Sequence, residues 1–129
     1  MMKSFINTAF SFIATSFMYL IGGLDLAFKT LAIMMVLDYI TGVISAIYNK
    51  KVNSKIGFKG ILKKMLYLIA IMVASLLDNL LGQQVIRYVV IYFFVANDGI
   101  SILENIAKCN VKLPQKLIDS LEQLKDKEK

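Results

Sequence analysis

The sequence contains no histidine and only one cysteine, Cys109, among its 129 residues. A single cysteine excludes an internal disulfide, and the lack of histidine leaves no motif for a structural zinc site. Charged residues make up only 19% of the chain, whereas 57% of its residues are hydrophobic. A soluble domain of this size carries more charge. Because the apolar residues lie in long runs, we predict one membrane domain over residues 1–129.

Four apolar runs predict an all-α, multi-pass protein with four transmembrane helices. Crossing a hydrocarbon core of ~30 Å takes about 20 helical residues. The expected spans are residues 5–21, 26–48, 65–81 and 85–107. A cleaved signal peptide is the alternative for residues 5–21, although the residues from Gly22 to Asp25 offer no convincing cleavage site. If this run does not cross, three spans remain and it is cleaved or lies on a membrane face.

The segment between the second and third spans, residues 49–64, is strongly basic and contains no acid. Lysine-rich loops stay on the cytoplasmic side of a membrane, so this segment predicts cytoplasmic N- and C-termini. Ser54 is a candidate cap for a short helix at the membrane surface, where lysines meet anionic head groups; a solvated loop is an equal alternative. The six lysines of this basic loop are Lys50, Lys51, Lys55, Lys59, Lys63 and Lys64.

The tail, residues 110–129, predicts a short amphipathic helix after Pro114, because leucine and isoleucine recur there at helical spacing. It is expected to lie on the membrane or to contact a neighbouring subunit. The net charge of +6 is not a nucleic-acid signal, because the lysines flank the spans and the aromatic residues lie within them. We therefore expect membrane lipid, and no nucleic acid, as a partner.

The candidate functional residues are polar or small residues inside the predicted spans. Such residues mark either an ion, proton or water pathway or a polar interface between helices. Asp78 and Arg87 flank the turn at Gly82 and are expected to pair. No nucleophile, metal-ligand cluster or phosphate loop accompanies the acids, so no enzyme, metal or cofactor is expected. The candidates are Asp38, Thr41, Gly42, Ser45, Asp78, Arg87, Asn97, Asp98, Ser101 and Glu104.

Two passages resemble one known family. The first is Asp38-Tyr39-x-Thr41-Gly42, followed by the basic segment that ends at Lys64. The second runs from Arg87-Tyr88 through Ala96 to Asn105 and is followed by Leu113-Pro114. Together they are similar to the phage-lysis and toxin-secretion holins, which include the holin-like proteins of clostridial toxin loci. The resemblance covers about residues 30–124, with Asp98 standing where the family pattern has glutamate and Cys109-Asn110 where it has Leu-Gly.

The resemblance implies a homo-oligomer in the bacterial cytoplasmic membrane. Such proteins open lesions that release an endolysin or a large toxin, or collapse the membrane potential, without specific binding of the cargo. It also implies that six of the candidates form polar helix contacts that hold the closed state and line or gate the lesion. The alternatives are a small ion channel or transporter and an antiholin-type regulatory protein. The six residues are Asp38, Thr41, Gly42, Asp98, Ser101 and Glu104.

Overall fold

The computed structural model describes the backbone of residues 1–126 and the side chains as far as Gln123. This part of the chain contains five α-helices and no strand. Four of them are long and apolar enough to cross a membrane, and the fifth is short, which confirms the prediction of an all-α, four-span protein with a short C-terminal helix. Residues 127–129 of the predicted tail lie outside the described part. The helices are α1 (Met2–Ile21), α2 (Leu26–Tyr48), α3 (Ser54–Leu81), α4 (Val85–Ala107) and α5 (Gln115–Asp126).

Short connections reverse the direction of the chain between consecutive long helices, and α3 packs against both α2 and α4. Gly22 and Gly82 end α1 and α3 with φ values of 84° and 68°, a left-handed conformation that glycine adopts without steric cost. Asp25 begins α2, because its side chain accepts a hydrogen bond of 3.0 Å from the backbone N–H of Phe28. As a result, α2 and α4 run in the same direction and α3 runs opposite to both.

Helix α4 is the centre of the bundle and packs against α2, α3 and α5. Between these helices lies a buried apolar cluster that includes Leu31, Ile71 and Ile91. By contrast, α1 packs against α3 and buries only Ile21 fully. Large apolar side chains such as Phe10 are exposed on the outer faces of the long helices. A soluble monomer does not expose this much apolar surface, so these faces suit lipid.

Helix α3 extends further toward its N-terminus than the sequence predicted. It starts at Ser54 and runs for 28 residues, so most of the expected basic loop is helical and only residues 49–53 connect α2 to α3. The cap is Asn53 rather than Ser54, because the Asn53 side chain accepts a hydrogen bond of 2.9 Å from the N–H of Lys55. The prediction placed the boundary where the charge pattern changes, but lysine is a good helix former and does not end a helix.

Helix α5 turns back after Pro114 and packs along α4. The contact is close at Gly99, which is buried. A Cβ atom at this position would lie 2.8 Å from Leu121 Cδ2 of α5 and 3.1 Å from Met34 Cε of α2. The absence of a side chain at Gly99 therefore allows Leu121 to pack in the groove between α2 and α4. Within the single chain α5 contacts its own bundle; the expected contacts of the tail with the membrane or with a neighbouring subunit stay predictions.

We expect Gly99→Val to release α5 from α4, because the added methyl groups would overlap Leu121. The measurement is limited trypsin digestion of the purified protein in detergent, and cleavage at Lys112 and Lys116 should become faster. Gly60→Val is the matched control, since a Cβ atom at Gly60 meets nothing within 4 Å. The double variant Gly99→Val, Leu121→Ala should regain protection. Equal cleavage of Gly99→Val and the unmodified protein would contradict this docking.

Candidate functional site

Three helices meet at one buried cation. Lys64 Nζ of α3 lies 2.5 Å from Asp38 Oδ2 of α2 and 2.9 Å from Asp98 Oδ1 of α4. The side chains of Lys64 and Asp38 are about 15% exposed, and that of Asp98 is 1% exposed. We call Lys64, Asp38 and Asp98 the three-helix charge cluster. Breaking such a buried pair is costly, because the remaining charge is left without a partner.

A partly buried amide extends the cluster between α2 and α4. Asn105 Nδ2 donates a hydrogen bond of 3.1 Å to Thr41 Oγ1 and lies 3.4 Å from both the backbone oxygen and Oδ1 of Asp38. A Cβ atom at Gly42 would lie 3.7 Å from the same amide nitrogen, which is an ordinary van der Waals contact. Gly42 therefore lies at the α2–α4 contact, but the contact does not require the absence of a side chain there.

An aromatic pair borders the cluster between α3 and α4. The rings of Tyr67 and Phe94 are stacked, with centroids 3.9 Å apart. Asn97 Nδ2 donates a hydrogen bond of 2.7 Å to Tyr67 Oη, and Lys64 Nζ lies 5.3 Å from the centre of the Tyr67 ring. The ring face therefore adds a weak attraction for the ammonium group to its two carboxylate contacts.

The charges of the cluster do not balance when all three groups are ionised, because one lysine faces two aspartates. Asp98 Oδ2 is buried, and within the described residues it has no hydrogen-bond partner. A buried carboxylate oxygen without a donor is costly and rare in stable folds. The cluster therefore joins three helices but leaves one acceptor unsatisfied, which lowers its contribution to the stability of this arrangement.

A second charge cluster lies around Arg87, at the end of the bundle where α2 and α4 begin. Its guanidinium group is 2.7 Å from Asp25 Oδ2 and donates hydrogen bonds to the carbonyl oxygens of Ile21, at 2.5 Å, and Gly23, at 2.9 Å. Because these residues form the α1–α2 connection, Arg87 attaches that connection to the start of α4. We call Arg87 and Asp25, with the two carbonyls, the Arg87 cluster.

The predicted ion pair between Asp78 and Arg87 is wrong. Asp78 is buried at the end of α3, and its carboxylate accepts hydrogen bonds from the backbone N–H groups of Ile86, at 2.9 Å, and Arg87, at 2.7 Å. It therefore caps the N-terminus of α4, where the helix dipole favours a negative charge. The Arg87 side chain points instead to Asp25, which lies in the connection between α1 and α2.

The ion pair with Arg87 perturbs the titration of Asp25. Hydrogen bonding to the Arg87 guanidinium lowers the pKa of the Asp25 carboxyl below its usual value, and partial burial opposes this effect. A carboxyl whose pKa is lower in the folded state stabilises the fold above its unfolded pKa. That stability is lost as the pH falls through the folded pKa.

The structure divides the sequence-predicted residues into separate groups. Asp38, Thr41, Gly42 and Asp98 meet in or beside the three-helix charge cluster, and Asn97 borders it. Asp78 and Arg87 lie about 17 Å away along α4, at ~1.5 Å per residue. Ser45 is buried near the α2 end, Ser101 is half-buried, and Glu104 is exposed. Among the six basic-loop lysines, Lys64 is the exception, because the other five are exposed. The exposed lysines are Lys50, Lys51, Lys55, Lys59 and Lys63.

Sequence reasoning missed Lys64 as a site residue because it was grouped with the basic loop. A signal was present, since Lys64 continues the buried stripe of α3 at spacings of three and four residues. The stripe continues through Tyr67, Ile71, Ala74 and Asp78, all of them buried. Asn105 and Asp25 were also missed, since their partners are distant in sequence. Among the described residues, no group of three or more His, Cys, Asp or Glu side chains is placed to hold a metal ion.

Asp25→Asn should remove an acid-sensitive part of the stability. Asparagine still caps α2 but does not form the ion pair with Arg87. The unmodified protein should lose thermal stability as the pH falls from neutral to below about 4, and Asp25→Asn should lose less over the same interval. Thermal unfolding in detergent measures both. Glu104→Gln, which neutralises an exposed carboxyl, is the control and should follow the unmodified protein; parallel curves for all three would refute the ion pair.

Lys64→Met should destabilise the bundle by about 3–5 kcal/mol, because it leaves two buried aspartates without a cation. Unfolding in mixed micelles measures the loss. The control Lys63→Met removes an exposed neighbour and should change stability by less than about 0.5 kcal/mol. Adding Asp38→Asn and Asp98→Asn to Lys64→Met should restore most of the stability, since no buried charge then remains. If the single and triple variants are equally unstable, charge compensation is not the cause.

Comparison of the sequence with known proteins places this chain in a family. The sequence model of the bacteriophage holin family matches residues 15–126. An uncharacterized 14.9 kDa protein "in nagH 3′ region" from Clostridium perfringens is 40% identical over 117 residues, which cover 89% of each chain.

Two other relatives extend the comparison to further bacteria and to a phage. An uncharacterized protein from Listeria monocytogenes is 43% identical over 102 residues, covering 78% of this chain and 73% of the other. A protein named "Probable holin" from Bacillus phage phi105 is 33% identical over 97 residues, covering 72% of each chain. No solved structure matches. The chain is a multi-pass membrane protein that belongs to the bacteriophage holin family, which is not a family of enzymes.

Proposed function

We propose that this protein is a holin of the bacterial cytoplasmic membrane. It assembles into homo-oligomers and opens a lesion that releases an endolysin or a large protein toxin and collapses the membrane potential. The cargo passes without a specific binding site. Family membership and the phage relative named "Probable holin" support phage lysis; toxin export is supported by the motif resemblance alone.

The observation that carries this proposal is the three-helix charge cluster inside a bundle of apolar helices. A charge in the hydrocarbon region costs ~3 kcal/mol on insertion scales, so the helices are held where Lys64 can neutralise Asp38 and Asp98. With Asp98 Oδ2 unpaired, this arrangement is not fully satisfied. Packed helix interfaces switch between discrete arrangements rather than deform gradually. We infer that opening exchanges these contacts within one chain for contacts between copies.

Charge distribution supports cytoplasmic termini. The α2–α3 connection and the first turns of α3 carry exposed lysines such as Lys50 and Lys55. The α4–α5 connection, at the same end of the bundle, carries Lys108 and Lys112. Lysines near span ends favour the cytoplasmic side. With four crossings, the chain then begins and ends on that side.

The proposed roles of the candidate residues follow their positions. Asp38, Asp98 and Thr41 hold α2, α3 and α4 together in the closed state, and Gly42 lies beside Asn105 at the contact between α2 and α4. Ser101 and Glu104 lie further along α4, toward its cytoplasmic end, and contribute to the wall or gate of the lesion.

The test is induced expression in a bacterium that also contains a cytoplasmic reporter enzyme. Membrane potential and enzyme release are followed together through time. We expect a delay and then abrupt depolarisation with release of the enzyme, because the helices must first accumulate and rearrange. Depolarisation with the enzyme retained would indicate a small channel instead. No effect at verified membrane expression would indicate an antiholin-type regulator.

Asp38→Leu tests the role of the cluster in timing. It removes one of the two carboxylates that bind Lys64, so we expect a changed onset of lysis and a changed oligomer size on cross-linking. Val36→Leu, an exposed apolar exchange on the same helix, is the control. If Asp38→Leu leaves both lysis onset and oligomer size unchanged, Asp38 does not hold the closed state.

A further inference from the structure

The cytoplasmic half of the bundle has two chemically different sides. We define this half as the part from Met34 of α2 and Gly99 of α4 to the α2–α3 connection. On one side, α2 exposes large apolar side chains. These include Ile40, Ile44 and Ile47, whose exposed fractions are 46%, 52% and 61%. Such a face is suited to lipid and unsuited to water.

A second side, where α5 packs in the groove between α2 and α4, is largely polar. The apolar residue Leu121 packs inward on Gly99, so the remaining faces of α5 point outward. Between residues 119 and 123 every exposed side chain of α5 is polar, and Glu104 of α4 is also exposed, whereas Leu117 near the start of α5 is 44% exposed. The exposed polar residues of α5 are Gln115, Lys116, Asp119, Ser120, Glu122 and Gln123.

The two sides lie at the same depth. Leu121 packs beside both Gly99 of α4 and Met34 of α2, which fixes the position of α5 against the spans. At ~1.5 Å per residue, Gly99 lies about 12 Å inside the end of α4 at Ala107. Val36, next to Met34 on α2, is 57% exposed. Val36 and Glu122 therefore differ by only a few ångströms in depth and face different surroundings.

No uniform environment suits both sides. Hydrocarbon around the whole half would surround Lys116, Asp119 and Glu122, at a cost of ~3 kcal/mol for each charge on insertion scales. Water around the whole half would expose the isoleucine face of α2. Both sides are satisfied only when lipid contacts α2 and water contacts α5 at the same level of the membrane.

We propose that the polar face of α5, together with Glu104, forms the wall of the aqueous lesion, while the exposed face of α2 contacts lipid. This assignment rests on the proposed holin function and adds which surface of the chain faces the lumen. It requires copies to assemble with their α4–α5 sides toward the opening. In the closed oligomer, the same polar sides face one another across a narrow wet interface.

The test compares spin labels at two positions of equal depth. In the full-length chain with Cys109→Ala, a nitroxide is attached at Glu122→Cys or at Val36→Cys, and the protein is reconstituted into vesicles of phosphatidylethanolamine and phosphatidylglycerol. Release of an entrapped dye shows that lesions are open in the same vesicles. Power saturation with oxygen, which concentrates in hydrocarbon, and with a water-soluble nickel chelate then reports the surroundings of each label.

We expect opposite preferences: the label at position 122 should be relaxed mainly by the nickel chelate and the label at position 36 mainly by oxygen. If both labels prefer the chelate, the whole half lies in water and the lumen assignment is wrong. If both prefer oxygen, α5 does not maintain a polar wall and the assignment is equally wrong. If unlabelled protein releases no dye, the lesion itself is refuted, which separates failure of the holin function from failure of the lumen assignment.

Discussion

The ion bridge from Lys64 to Asp38 and Asp98 is the interaction on which the arrangement of the spans depends. Apolar side chains do not select one packing in lipid, because lipid tails are as apolar as the helix surfaces. A buried cation with two acceptors on different helices does select one. It sets the position of α3 relative to α2 and α4, and through α4 it also sets the groove in which Leu121 of α5 packs.

The Arg87 cluster also joins helices, at the end of the bundle where α2 and α4 begin, but with different chemistry. There the guanidinium group binds carbonyl oxygens at the end of α1 together with the Asp25 carboxylate. Asp78 binds only backbone N–H groups. The bundle is therefore joined by polar contacts near the middle of the spans and near one end, with apolar packing between them. Helix α1, which buries little, is attached to the rest by the Arg87 cluster together with its packing against α3.

Much of the fold was accessible from the sequence, because hydrophobic runs of membrane length are a strong signal. The start of α3 could not be read from the sequence. The change in charge at the lysines is visible there, but the continuation of the helix through them is not. The candidate site was recovered in part. Asp38, Thr41 and Asp98 were identified as polar residues in apolar runs, but their partner Lys64 was assigned to the basic loop. The partner of Arg87 was also misjudged, because depth along a hairpin does not determine side-chain direction.

The length of α3 has a consequence for how the protein meets the membrane. A helix of 28 residues is about 42 Å long, whereas the hydrocarbon core is ~30 Å thick. The excess lies at the N-terminal end, where Lys55, Lys59 and Lys63 follow one another at intervals of about 6 Å along the axis. Because α3 contains no proline, it is one continuous helix from its lysine-rich start to the turn at Gly82. A tilt of α3 that matches the thickness of the bilayer would move Lys64 relative to both aspartates at once. The charge cluster is therefore sensitive to hydrophobic mismatch.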